Sequence, residues 1–467
     1  MSLMPLNDSM FLLGESREHP LHVGGLQLFT LPEGAGPDYL RQVHRELVAT
    51  ENSRVHRSFR QRPQTPVGTV GQLAWRQDAN LDLGYHVRHS ALPRPGRVRE
   101  LLELTSRLHG SLLDRHRPLW EMHLIEGLHD RRFAIYTKVH HALMDGVSAL
   151  HQMQRVLSTD PDERELPATF GWRPRPAAPA AATQSDPLWQ LGGIAKSALG
   201  LGRGFGEALG VLPTVLREAQ QALRDQQGAL PYQAPRSMLN VPITGARRFA
   251  AQSWSMDRIK PVCQATGSTT NDVVLALCAG ALRKYLLDAG ALPDRGLVAM
   301  VPVSLRRKAA QQSAGSGNNI GAILCDLATD EADPQLRLRR IQDSVRYGKQ
   351  MLSGVSPLQA MLLSAVVAGG LALAPLPGMA SRARPPFNLI ISNVPGPSRP
   401  LYWNGAAMQG LYPMSIPYEG QALNITVTSY AGNLEFGLTG CRRSVPHLQR
   451  MLVHLEASLV ALERLTG

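Results

Sequence analysis

At 467 residues and 43% hydrophobic, the chain has enough apolar material for a large core and exceeds a typical single domain, so two domains are expected. Its formal net charge of +12 suits nucleic acid, anionic lipid or a phosphorylated cofactor such as coenzyme A. Basic residues are scattered or paired, as in Arg247-Arg248, Arg306-Arg307 and Arg442-Arg443, with no long Lys/Arg run or nucleic-acid module, which argues against a nucleic-acid partner.

From the N-terminus, Met1 to Asp8 lacks a basic region followed by an apolar core, so no secretory signal and a cytosolic location are expected. Arg132 to Val139 alternates, with Phe133, Ile135, Thr137 and Val139 on one face and Ala134, Tyr136 and Lys138 on the other, which predicts a strand. After Gly146, the apolar residues Val147, Leu150, Met153 and Leu157 recur at helical spacing. His140-His141-Ala142-Leu143-Met144-Asp145-Gly146 therefore occupies a strand-to-helix turn, a place where catalytic side chains are commonly displayed.

Residues 173–183 are rich in Pro and Ala and read as an exposed linker. From Pro187 to Gln227 the Ala, Leu and Gly content predicts one or two connecting helices. This divides the chain into a first lobe at 1–172, a linker with connecting helices at 173–235 and a second lobe at 236–467. In the second lobe Asn271-Asp272 opens a helix with Val274, Leu277, Cys278, Ala281 and Leu282 on one face, Asn or Asp being a natural cap. Strands follow at 297–303, 387–394 and 424–430, the last pairing with 434–439 across Ala431-Gly432-Asn433. Helices and strands alternate in both halves, which predicts two α/β lobes.

The most apolar tract, 360–374, is shorter than the roughly 20 residues a spanning helix needs, so a buried or tunnel-lining helix is expected there and peripheral membrane contact stays open. Cys263, Cys278, Cys325 and Cys441 form no C-x-x-C pair and suit a reducing compartment.

A neutral imidazole can take a proton from a hydroxyl as it attacks a carbonyl, and one histidine of the pair suffices for that. Strand geometry lets the two point in opposite directions, so either could serve. Asp145 could orient the imidazole or brace the loop, and Gly146 permits a sharp turn or leaves room for substrate. Two satisfied structural histidines are one alternative reading. Zinc is another, but one histidine and Asp145 have no evident third ligand, so no metal is expected. No G-x-S-x-G elbow points to a serine triad.

The His-His-x-x-x-Asp-Gly motif in this setting resembles the bacterial bifunctional wax ester synthase / acyl-CoA:diacylglycerol acyltransferase family. The likeness covers nearly the whole chain. It extends through Pro20 to Leu26, Asp114 to Glu121, Asn271-Asp272-Val273, Val301 to Arg306, Gly317-Asn318-Asn319 and Ser392 to Pro397. Each segment is weak alone, and their order and spacing together are specific.

The resemblance implies two similar α/β lobes of the CoA-dependent acyltransferase (chloramphenicol acetyltransferase-like) fold, tied by strand and loop exchange, with the active-site channel between them. It implies that His141 is the general base and His140 its support behind the turn. Asp145 is then structural, pointing away from substrate and pairing with an arginine for which Arg306 is the candidate. Asn271 is the candidate oxyanion donor or channel organiser, with helix capping as its rival role. Pro118-Leu119-Trp120 and Pro395-Gly396-Pro397 read as channel-wall or turn elements.

The expected reaction moves a long-chain acyl group from acyl-CoA, a co-substrate, to a diacylglycerol or fatty alcohol, with no bound cofactor. A peripheral position at the inner face of the cell membrane or on lipid droplets goes with it. A condensation-like enzyme using carrier-bound acyl groups and a non-catalytic lipid-body coat protein are the other classes considered.

Overall fold

In the computed structural model, residues 2–65, 73–173, 233–304, 320–353 and 384–466 are described. The first half runs β1 (Ser2–Leu3), α1 (Leu6–Gly14), β2 (His22–Thr30), α2 (Tyr39–Val48), β3 (Gln61–Gln64), β4 (Ala74–Gln77), α3 (Leu83–His86), β5 (Val87–Ala91), α4 (Val98–His109), β6 (Trp120–Leu128), β7 (Arg132–His140) and α5 (Gly146–Arg155). The second half contributes β8 (Arg247–Ser255), β9 (Val298–Ser304), β10 (Ile320–Asp326), β11 (Leu389–Val394), β12 (Tyr402–Trp403), β13 (Ala406–Met414), β14 (Leu423–Tyr430) and β15 (Asn433–Cys441). Helices Met256–Thr266, Thr270–Asp288, Pro334–Ser353 and Arg450–Glu463 lie among and after them. Arg306, Gly317-Asn318-Asn319, the expected helices within 187–227 and the apolar tract at 360–374 lie outside the described residues.

Two six-stranded sheets organise the molecule, in the orders β12-β13-β2-β7-β6-β5 and β10-β9-β11-β14-β15-β8. The first belongs to the N-terminal lobe, yet its strands β12 and β13 come from the C-terminal half. β13 pairs antiparallel with β2 from Ala407 opposite Thr30 to Met414 opposite Gly24. The implied strand exchange is therefore present, and the lobes share one sheet across the boundary read from the linker. Where the sheets meet, a Cβ on Gly437 of β15 would stand 1.9 Å from the Pro413 carbonyl oxygen of β13, so only glycine allows that approach.

The alternation read along 132–139 determines how β7 is covered. Phe133, Ile135 and Val139 are buried with Trp120, Leu150 and Met153, whereas Ala134 and Tyr136 face Leu101, Leu102 and Phe249 on the opposite side. Burying an aliphatic or aromatic side chain of this size contributes about 1.5–3 kcal/mol, which fixes the register: a one-residue slip would turn both faces inside out. Lys138, on the α4 side, is fully buried, and its Nζ donates to the carbonyls of Leu108 and Ser111 at 3.1 and 3.0 Å. Glu121 lies 3.1 Å from the same nitrogen. Burial would raise the Glu121 carboxyl, but His123, Lys138 and Arg88 hold it down at about 2.

In the second lobe the expected hairpin forms across two residues, Ala431 (φ 43°) and Gly432 (φ 85°), with Tyr430 opposite Asn433. Two successive left-handed residues match the twist of the flanking strands. Helix Thr270–Asp288 is capped differently from the expectation. The Thr269 hydroxyl oxygen accepts from the Asp272 amide at 3.3 Å and the Asp272 carboxylate accepts from the Thr269 amide at 2.9 Å, a reciprocal capping box. Asn271 is not the cap.

Candidate active site

β7 ends at His140, and the backbone then turns before α5 begins. The His140 carbonyl accepts from the amides of Leu143 and Met144 at 2.9 and 3.2 Å, and the His141 amide donates to Leu21 O at 3.0 Å, tying the turn to the start of β2. The Asp145 carboxylate accepts from the Ser148 amide at 2.7 Å, capping α5. Gly146, its first residue, has ordinary helical handedness. A Cβ there would meet only Val23 Cγ1, at 4.0 Å, so its role is the room it leaves in front of the turn.

The two histidines part company here. His140 is fully buried, its Nδ1 accepts from the Ala142 amide at 3.0 Å, and its Nε2 stands 3.3 Å from Glu15 Oε1, off the line of a good hydrogen bond. Glu15 also accepts from the Leu21 amide at 3.1 Å and from Arg115 at 3.0 Å. Burial would raise its carboxyl, but His140, the Leu21 amide and Arg115 together hold it below the ordinary value. His140 is thus part of a brace behind the turn.

His141 opens onto a cavity of about 280 Å³ between the two sheets. One wall comes from β2, the turn and α5, with Gly24, Gly25, Asp145 and Met153; the other comes from β9, β11 and β14, with Pro302, Ser392, Asn424 and Thr426. Phe11 of α1 stacks on the imidazole, centroids 4.0 Å apart and planes 21° apart. His141 Nδ1 is sealed from solvent and makes no well-formed hydrogen bond to a described residue. Burial lowers the His141 pKa to about 4, with His140 acting the same way and Asp145 and the ring's own backbone carbonyl opposing them. The imidazole is neutral near pH 7 and able to accept a proton.

The remaining candidates fall differently from the expectations. Asp145 lines the cavity and caps α5, whose first amides need an acceptor; its candidate partner Arg306 lies outside the described residues, so the expected pair is neither seen nor contradicted. Asn271, half-buried in the first turn of its helix, is not among the described residues lining the cavity. Trp120 is no channel wall: it is fully buried, its indole donates to Phe59 O at 2.8 Å, and its ring stacks on His86. Leu119 packs beneath the turn with Ala142. In Ser392 to Pro397 the strand residues Ser392 and Val394 do line the cavity, and the Gly396 amide donates to Ser429 Oγ at 2.9 Å. Sequence reasoning missed Phe11 and Glu15, and gave Arg115 no role although its segment was noted.

Across the cavity, the Thr426 hydroxyl donates to Asn424 Oδ1 at 3.0 Å and the Thr428 hydroxyl to Val394 O at 2.8 Å. The hydroxyls of Ser392, Ser415 and Tyr418, which also line it, are committed to no described residue and remain available as donors. A neutral, desolvated imidazole facing uncommitted hydroxyl donors in an apolar channel can run base-assisted attack on a carbonyl.

Two family models match the chain: the wax ester synthase/diacylglycerol acyltransferase catalytic domain over residues 3–274 and the WS/DGAT C-terminal domain over 316–463. A Mycobacterium tuberculosis H37Rv protein named as a probable diacylglycerol O-acyltransferase, tgs2, is 55% identical over 467 residues, covering 100% of both chains. The solved wax ester synthase/diacylglycerol acyltransferase of Marinobacter aquaeolei VT8 shares 41% identity with a TM-score of 0.76 and 100% coverage of both chains. The first condensation domain of the calcium-dependent antibiotic synthetase shares the fold at 17% identity and a TM-score of 0.57, covering 99% of this chain and 96% of its own. The two-lobed architecture is thus that of the CoA-dependent acyltransferases. On the extent of the catalytic-domain match and these identities, the chain belongs to the wax ester synthase/diacylglycerol acyltransferase family.

Proposed function

We propose that this enzyme moves a long-chain acyl group from acyl-CoA to the hydroxyl of a diacylglycerol or fatty alcohol, with His141 as general base. Family membership and the 55% identity to a diacylglycerol O-acyltransferase support transfer that makes triacylglycerol or wax ester. The observation that carries the assignment of the base is the split of the histidine pair: His141 faces the interlobe cavity, while His140 is held behind the turn by Glu15 and the Ala142 amide.

In the reaction, His141 takes the acceptor hydroxyl's proton as its oxygen attacks the thioester carbonyl. The carbonyl oxygen becomes an oxyanion, to which Ser392 donates from the opposite wall in the role the sequence offered to Asn271. Collapse breaks the carbon–sulfur bond and expels the CoA thiolate, which recovers the proton from His141. The products are an ester and free CoA, without an acyl-enzyme or a metal.

No helix among the described residues is long and apolar enough to cross a membrane. With the net charge of +12, this supports reversible contact with an anionic membrane face or a lipid droplet, where the insoluble acceptors reside. The test is incubation of purified protein with acyl-CoA and either acceptor, following free thiol and neutral-lipid product together. Thiol release without ester would identify a hydrolase and overturn the reading.

A further inference from the structure

A second concavity, of about 640 Å³, lies on the seam between the lobes. α4 supplies Ser106 and Arg107, the approach to β8 supplies Thr244 to Arg248, Arg442 follows β15 directly, and Arg17 follows α1. Five arginines meet two glutamates here, and both acids are already engaged: Glu18 accepts from the Gly245 amide at 2.8 Å and Glu103 from Arg99 at 3.1 Å. Arg247 is engaged as well, being buried and donating to the carbonyls of Thr244 and Glu18. Arg17, Arg107, Arg248 and Arg442 donate from their side chains to no described residue. The last-turn carbonyl of Leu108 and that of Ser111, which would repel an anion, are taken up by Lys138.

Four uncommitted guanidiniums around one hollow repel one another unless an anion joins them. Guanidinium forks suit phosphate oxygens, and a hollow suits a compact polyanion better than it suits a flat bilayer. The hollow is also close to the chemistry. His109, in the same turn of α4 as Ser106 and Arg107, shares a 3.1 Å hydrogen bond with the carbonyl of Ser415, a residue of the His141 cavity wall. Through His109 and Ser415 the two hollows are linked across the seam.

We propose that this arginine pocket binds the phosphate groups of the acyl-CoA donor. The inference rests on the acyl-CoA reading above and adds the place where the donor's charged end is held. The pocket makes the enzyme selective for CoA thioesters over the same acyl group on a carrier without these phosphates.

The test compares acyl-CoA with acyl-pantetheine, which keeps the thioester and lacks the nucleotide phosphates. In Arg107→Ala, Arg248→Ala and Arg442→Ala the ratio of kcat/KM for acyl-CoA to that for acyl-pantetheine should fall about tenfold each, the effect of losing one charge-assisted hydrogen bond in a partly wet site. With the unmodified protein, adenosine 3′,5′-bisphosphate should inhibit competitively against acyl-CoA, and less as salt is raised. Turnover of acyl-CoA that this bisphosphate does not inhibit would overturn the pocket while leaving acyl transfer standing. An unchanged ratio together with lost binding to vesicles of anionic phospholipid would overturn it in favour of a membrane patch. Failure to turn over either thioester would instead overturn the acyl-transfer reading.

Discussion

Replacing each histidine so that only one of its functions is lost separates the two. An asparagine at position 140 carries its side-chain oxygen on the same carbon as the imidazole Nδ1, so His140→Asn keeps the acceptor for the Ala142 amide, 3.0 Å away in the native turn. His140→Ala leaves that buried amide unsatisfied, a cost of about 1–3 kcal/mol before the ring's own packing is counted. The contact with Glu15 at 3.3 Å is lost in both, but Arg115 and the Leu21 amide still hold that carboxylate. His140→Asn should therefore keep turnover within about tenfold of the native enzyme. His141→Ala removes the proposed base and should cost about 10² to 10⁴ in rate, while its folding cost includes a stacking contact with Phe11 of about 0.5–1.5 kcal/mol. Continuous thiol release from acyl-CoA, with thermal unfolding alongside, reads both effects. If His140→Asn were as inactive as His141→Ala at an unchanged melting temperature, His140 would have a chemical role and the division argued here would be refuted.

The acid limb of kcat/KM should fall at about pH 4, where burial places His141, in contrast to the 6.5 of a free imidazole; a midpoint at 6.5 would show that the free enzyme's base is not this desolvated ring. Asp145→Asn should leave the melting temperature almost unchanged because asparagine caps helices equally well, whereas Asp145→Ala should cost about 1 kcal/mol; a large loss in the Asn variant would reveal a buried ion pair instead. A Cβ on Gly25 would stand 2.5 Å from Met153 Sδ, so Gly25→Ala must swing that side chain. The end of a methionine moves readily, so the stability cost should be small, and because both residues line the cavity, turnover of long acyl donors should drop more than that of short ones. Dialysis against a strong chelator should leave activity intact, and loss restored by zinc would require a metal step.

What the sequence made legible was local. The β7 alternation, the turn and the start of α5 follow from residue spacing alone, as does the hairpin at Ala431-Gly432. The cap of helix Thr270–Asp288 is legible too, since Thr269 with Asp272 three residues on is itself a capping-box pattern that outranks Asn271. The capping role of Asp145 follows only once α5 is seen to start at Gly146, and its expected pairing with Arg306 lies outside the described residues. The run Pro118-Leu119-Trp120 carries no sign of which face of a strand the indole will occupy, and the fold turns it into the core. Phe11, Glu15 and Arg115 gave no periodic signal: Arg115 reaches Glu15 across 100 residues of chain, and only the tertiary fold brings them together behind His140.

The adjacency of the two histidines has an electrostatic consequence as well as a geometric one. A strand that ends between them turns one ring toward the protein and the other toward the cavity, so the first can bolt the turn without occupying reaction space. The far end of the turn also acts on the proposed base. Burial sets the low His141 pKa, the Asp145 carboxylate raises it, and a proton on His140 would lower it further. Glu15 and Arg115 hold His140 from behind, while Asp145 acts on the His141 ring from the other end of the same turn. Because the His141 amide is tied to Leu21 and its ring is stacked on Phe11, little rotational freedom is left to lose when a hydroxyl arrives. A weakly basic but fixed and desolvated imidazole suits the proposed reaction, in which it need not hold the proton, only carry it from the attacking oxygen to the departing sulfur.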